Sequence, residues 1–124
     1  MKIFEESRFI NKVRKVAIGK PIILYGAGMD AVWAIEDWRR NFGSEFYGCV
    51  CDSSPQKQTL TIDGVEILSL EKSLDKYKDA YIWVTAKDYK FEIIGYLLDE
   101  KKIPEQRILN YEPVVRKRGC QYGE

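Results

Sequence analysis

The stretch Pro21–Ile22–Ile23–Leu24–Tyr25–Gly26–Ala27–Gly28–Met29–Asp30–Ala31 limits what this chain can fold into more than any other. Its first half is a short apolar run between a proline and a glycine, the pattern of a strand covered on both faces. The residues after the glycines carry apolar side chains at helical spacing. Strand, glycine turn and helix in that order open a layered α/β domain with a parallel sheet.

The rest of the chain continues the alternation. Residues 4–17 predict an amphipathic helix, with Phe9 or Ile10, Val13, and Val16 or Ala17 on one face, Glu5 and Glu6 near its start and Lys12, Arg14 and Lys15 near its end. Gly19 and Pro21 stop it. The helix after the glycine turn spans about Gly28 to Asn41 and turns Ala31, Ala34 or Ile35, Trp38 and then Phe42 toward the sheet. Residues 46–51 predict a second apolar strand ending at Asp52, followed by the loop Ser53–Ser54–Pro55. Between Thr59 and Leu68 two β-prone runs flank Asp63–Gly64, a pair suited to the positive φ angles of a tight hairpin.

Ser69 can cap a short helix with Leu70, Leu74 and Tyr77 on one face, and Ala80–Thr85 predicts another strand. Asp88 is a suitable cap for a helix reaching about Lys101, with Phe91, Ile94 and Leu98 toward the core and Gly95 marking a close backbone contact. Arg107–Asn110 forms the last strand after Pro104. The expected architecture is a three-layer α/β domain whose parallel sheet has about four strands, with a small extra hairpin. Residues 1–19 supply an N-terminal helix, 20–112 the α/β domain and 113–124 a loosely held tail.

Composition narrows the class. A chain of 124 residues, 45% apolar and 31% charged, has enough length for one core and no run approaching the ~20 apolar residues of a membrane span. The segment Met1–Glu6 lacks the apolar run and cleavage site of a signal peptide, so a cytoplasmic protein is expected. A net charge of +1 argues against nucleic acid as a partner, and the one basic cluster, Arg116–Lys117–Arg118, reads as a solvated tail. Histidine is absent, which removes the commonest general base and metal ligand. Cys49 and Cys51 alternate onto one face of a strand and read as small buried hydrophobes, not a zinc site, while Cys120 lies in the tail.

The turn Gly26-x-Gly28-x-x-Ala31 fits the dinucleotide-binding pattern in the required place, after a strand and opening a helix. Gly26 permits the turn, Gly28 leaves room for a diphosphate to approach the backbone, and Ala31 lets the helix pack closely. The helix N-terminus then offers unpaired N–H groups to phosphates. Asp52, at the end of the second strand, can accept hydrogen bonds from ribose hydroxyls and disfavours a 2′-phosphate. Thr85 and Lys87 lie at the carboxyl end of the strand expected beside the first. The cofactor-binding candidates are thus Gly26, Ala27, Gly28, Met29, Asp52, Ser53, Thr85 and Lys87; no catalytic residue and no metal ligand is assigned. Asp30 runs counter to this reading, because a carboxylate in the first helical turn repels phosphate.

Tyr25–Gly26–Ala27–Gly28, Tyr47–Gly48–Cys49–Val50–Cys51–Asp52, Ile62–Asp63–Gly64–Val65–Glu66–Ile67–Leu68 and Ile82–Trp83–Val84–Thr85 together resemble a Rossmann-like nucleotide-binding domain. Such domains recur at the N-terminus of polysaccharide-biosynthesis enzymes: nucleotide-sugar dehydratases and epimerases, sugar acyltransferases and some methyltransferases. The resemblance covers about residues 20–111 and implies binding of NAD or a nucleotide-sugar. It also implies chemistry completed by a catalytic partner chain, since the Tyr-x-x-x-Lys pair of short-chain dehydrogenases is missing and the glycine turn departs from the methyltransferase form. An interaction module retaining the same scaffold is the alternative, and a homodimer would cover the open sheet edges.

Overall fold

The computed structural model describes residues 19–26, 28–42, 46–85 and 89–109, with the side chains of Asn41 and Phe42 left aside. The expected helix over 4–17, the cap at Asp88 and the tail beyond 113 lie outside these residues, as do Ala27 and Lys87.

Strand β1 (Ile22–Tyr25) leads through the glycine turn into helix α1 (Met29–Phe42), and then to β2 (Gly48–Cys51). A single 3₁₀ turn (Lys57–Thr59) precedes the hairpin β3 (Thr61–Ile62) and β4 (Val65–Leu68). Helix α2 (Leu70–Lys76), β5 (Tyr81–Val84), α3 (Lys90–Asp99), a second 3₁₀ turn (Glu105–Arg107) and β6 (Ile108–Leu109) follow. The strands form one six-stranded sheet in the order β3-β4-β2-β1-β5-β6. All neighbours run parallel except β3, which is antiparallel to β4.

The hairpin is therefore part of the sheet and not an addition to it. Asp63 and Gly64 take φ of 52° and 82° at its turn, as the pair predicts. Its second strand pairs in parallel with β2, Val50 opposite Ile67 and Cys51 opposite Leu68, so five strands, not about four, run parallel. Val65 and Ile67 are buried against α1, which makes β4 a core strand.

Alternate residues of the strands feed two cores. Ile22, Leu24, Val50, Val65, Ile67, Trp83 and Leu109 face one way and meet Ala31, Ala34, Ile35 and Trp38 of α1, the stripe its periodicity predicts. Trp38 sits at the centre, edge-on to Phe46 at 6.0 Å and tilted against Trp83 at 6.1 Å. Ile23, Cys49, Cys51, Ile82 and Val84 face the other way, against Leu70 of α2, Leu97 of α3 and Ile103. Each fully buried Ile, Leu or Val stabilises the fold by about 1.5–3 kcal/mol, which makes this double burial the main force holding the layers together.

Ser69 caps α2 by accepting from the Lys72 N–H at 3.2 Å, and Leu70, Leu74 and Tyr77 pack on the sheet as expected. Two expectations for α3 fail. Leu97 fills the core with Ile93 and Ile94 beside it, whereas Phe91 is 82% exposed. The helix is apolar on most of its sides, so periodicity does not select its docking face, and the sheet takes the Leu97 side. Nor does Gly95 mark a close contact: among the described residues, a Cβ there meets nothing within 4 Å.

Candidate functional site

Strand order reverses at β1, whose neighbours β2 and β5 belong to opposite halves of the chain. Loops leaving the carboxyl ends of two such strands diverge to opposite faces and leave a crevice, the usual ligand position in open α/β sheets. Gly26, Gly28, Met29, Asp52, Ser53 and Thr85 all lie at this edge, at or just past the ends of β1, β2 and β5.

Gly26 has φ +117°, a conformation that L side chains rarely adopt, and its N–H donates to the Cys51 carbonyl at 2.9 Å. The chain is thereby tied to β2 while it turns away from β1. The Gly28 carbonyl accepts from the N–H groups of Ala31 at 3.1 Å and Val32 at 3.3 Å and so starts α1. A Cβ at Gly28 meets nothing within 4 Å among the described residues, and Gly28 is not in the positive-φ region. Among the described residues, nothing requires glycine at this position. Met29, 61% exposed, and half-buried Asp30 occupy the first turn of α1.

Asp52 organises the loop behind the crevice. Its N–H donates to the Leu68 carbonyl at 3.0 Å, its Oδ1 accepts from the Ser54 N–H at 2.8 Å, and its carbonyl accepts from Gln58 Nε2 at 2.7 Å. The carboxylate is held half-buried at the strand end with Ser53 exposed beside it. Thr85 differs from its expected role. It is 1% exposed and its hydroxyl donates to the Tyr25 carbonyl at 3.1 Å, tying β5 to β1 where the strands part, so its proton is committed within the protein.

Four further residues, on the α2–α3 side of the sheet, were not legible in the sequence. Tyr25, the last residue of β1, packs on the α2–α3 side. Burial raises its hydroxyl pKa, and Cys51, Tyr96, Asp52 and Glu71 add to the rise. Lys101 Nζ donates to Glu71 Oε2 at 3.1 Å and lies 5.8 Å from the ring centre of Tyr96. These residues come from separate elements, so no local motif announces them.

The cysteines behave as small hydrophobes. Burial pushes Cys49 up to about 11 and Cys51 to about 12, so both remain thiols at neutral pH; Cys49 Sγ donates to Ser73 Oγ at 3.4 Å. Among the described residues no group of three or more His, Cys, Asp or Glu is placed to hold a metal, and no helix is long and apolar enough to cross a membrane. Comparison with protein-family models, with curated proteins and with solved structures gives no match to this chain.

Proposed function

We propose that this chain is a Rossmann-like domain that binds NAD or a nucleotide-sugar across the carboxyl edge of its sheet and serves carbohydrate or polysaccharide biosynthesis, a partner chain completing any reaction. The observation that carries the reading is Gly28. It is a glycine at the N-terminus of α1, beside the point of strand reversal, that neither φ nor a described neighbour requires. A diphosphate needs that space to reach the helix N–H groups. Asp52, at the end of the adjacent strand, stands where a ribose places its hydroxyls. The order of the parallel strands, β4-β2-β1-β5-β6, supports the reading because it is the winding that dinucleotide-binding sheets share. The biosynthetic setting comes from the resemblance.

Calorimetric titration with NAD, NADP, a nucleotide-sugar and coenzyme A tests it. One of NAD or the nucleotide-sugar binds in the micromolar range, Gly28→Val abolishes that binding, and Asp52→Ala weakens it. No heat from any ligand with a folded sample overturns the proposal. It would leave the interaction module, for which the observation in favour is Phe91, 82% exposed on α3.

A further inference from the structure

We infer that the amphipathic segment 4–17, which lies outside the described residues, docks as a helix beside α1 and covers the β5–β6 half of the sheet, with a basic side chain against Asp37. This docking does not depend on nucleotide binding.

The two faces of the sheet differ in their cover. Among the described residues, α2 and α3 share one face, and α1 is the one helix on the other. Strands lie about 4.8 Å apart and a helix with its side chains is about 10 Å wide, so one helix covers roughly two strands. Arg39 of α1 donates to the Asp63 carbonyl at 3.1 Å, which turns one flank of that helix toward the β3–β4 hairpin. The strand order puts β5 and β6 beyond the other flank. Yet on this face Trp83 of β5 is 3% exposed and Leu109 of the edge strand β6 only 8%. Trp38 reaches Trp83 at 6.1 Å, and β6 lies one strand further out. Asp37 repeats the pattern. It stands about 200° round the helix from Arg39, on the flank toward β5. It is 1% exposed, although its ion-pair partner Arg40 keeps half of its side chain in solvent.

Chain length, direction and charge select the occupant. Outside the described residues lie 1–18 and 110–124, besides position 27 and the short stretches 43–45 and 86–88. Only the two terminal stretches are long enough to cover a pair of strands. Residues 110–124 carry Pro113 and the run Arg116–Lys117–Arg118, with no apolar repeat at helical spacing. Residues 4–17 carry one, and as a helix they extend about 21 Å, against about 13 Å for a strand the length of β5. Gly19, directly after this stretch, takes φ +82°, the left-handed conformation that commonly follows the last turn of a helix. The Pro21 carbonyl then accepts from the Tyr81 N–H at 3.0 Å, so the chain enters β1 alongside the start of β5, next to the half that needs cover. On a helical projection Arg8 and Lys12 border the apolar stripe on one side and Arg14 on the other. Whichever side faces α1 therefore brings a base to the flank that holds Asp37, where a buried carboxylate is stabilised by opposite charge.

Urea denaturation and amide hydrogen exchange of the full chain test the docking. Val13→Asp puts a charge in the apolar stripe and is expected to lower the urea midpoint by about 1 M. It also speeds exchange at Ile108 and Leu109 about tenfold more than in α2. Asn11→Asp, on the opposite side of the same segment, leaves both readings unchanged. If Val13→Asp does not fold, Val13→Ala shows the same selectivity with a smaller shift. One of Lys12→Gln and Arg14→Gln lowers the midpoint, and does so less in an Asp37→Asn background. The docking is overturned if the Val13 substitutions change neither reading, if Asn11→Asp matches them, or if exchange rises equally on both faces of the sheet. Deletion of 113–124 reproducing the Val13 effect assigns the cover to the tail, and a midpoint that rises with protein concentration assigns it to a second copy; either result also overturns it.

Discussion

Gly28 and Gly48 stand at the starts of consecutive elements, α1 and β2, yet they are glycines for opposite reasons. Gly48 begins β2 at the amino edge of the sheet with φ +145°, and a Cβ there would overlap the carbonyl of Ile22 in the adjacent strand. Gly28 stands at the carboxyl edge with ordinary φ and, among the described residues, open space over it. The amino edge is also stitched by side chains. Arg107 donates to the carbonyls of Ala80 at 2.8 Å and Lys78 at 3.0 Å, and Glu66 accepts from Lys76 at 2.6 Å and Tyr77 at 2.9 Å. The difference separates a glycine that the fold demands from one that no described neighbour demands, and places the dense side-chain bonding at the amino edge.

Substituting the two glycines is the hardest test of that division. Gly48→Ala combines a disfavoured backbone with a backbone overlap and is expected to cost about 3 kcal/mol or more, read by urea denaturation. Gly28→Ala changes only a helix N-cap and costs less than about 1 kcal/mol. Equal losses from both would erase the contrast between the edges. Next in size, Arg107→Ala removes two charge-assisted bonds that hold the entry to β6 against the entry to β5, for about 2 kcal/mol. Thr85→Val leaves one carbonyl, that of Tyr25, without its hydroxyl donor and costs about 1 kcal/mol. It acts at the carboxyl edge, so it should also loosen the crevice and weaken any nucleotide bound there.

What the sequence discloses follows the same boundary between local and assembled structure. The β1–turn–α1 unit is legible because its signals are contiguous: Ile22–Leu24 are continuously apolar, and Ala31, Ala34, Ile35 and Trp38 recur at 3.6-residue spacing. Gly26, Gly28 and Asp52 are legible because the motif carrying them lies within one β–α–β unit. The pairing of β4 with β2 is not legible, since Val65 and Ile67 alternate identically in a free hairpin and in a buried parallel strand. Phe91 and Leu98 satisfy helical periodicity as well as Ile93 and Leu97 do, and only docking on the sheet decides between them. Gly48 hides its role because a close approach to Ile22 exists only once two strands are paired.

The smallest effect concerns protons, and it sharpens the account of the amino edge. The Lys76 ammonium, joined by the Tyr77 hydroxyl, holds the Glu66 carboxyl below its ordinary 4.5. A depressed carboxyl stabilises the folded state at any pH above its unfolded value, and the contribution is lost as pH falls through the lower, folded value. Thermal unfolding should therefore show the pair at pH 7 and lose it well below pH 4.5. Glu66→Gln should lower the melting temperature slightly at pH 7, and the two proteins should converge in acid. The pair is partly exposed, at 54% for Lys76 and 37% for Glu66, so the effect is modest and shrinks in high salt. A gap between the two proteins that persists in acid would mean that Glu66 acts through packing against Tyr77, and that the amino edge is held by shape and the Arg107 bonds, with its ion pair incidental.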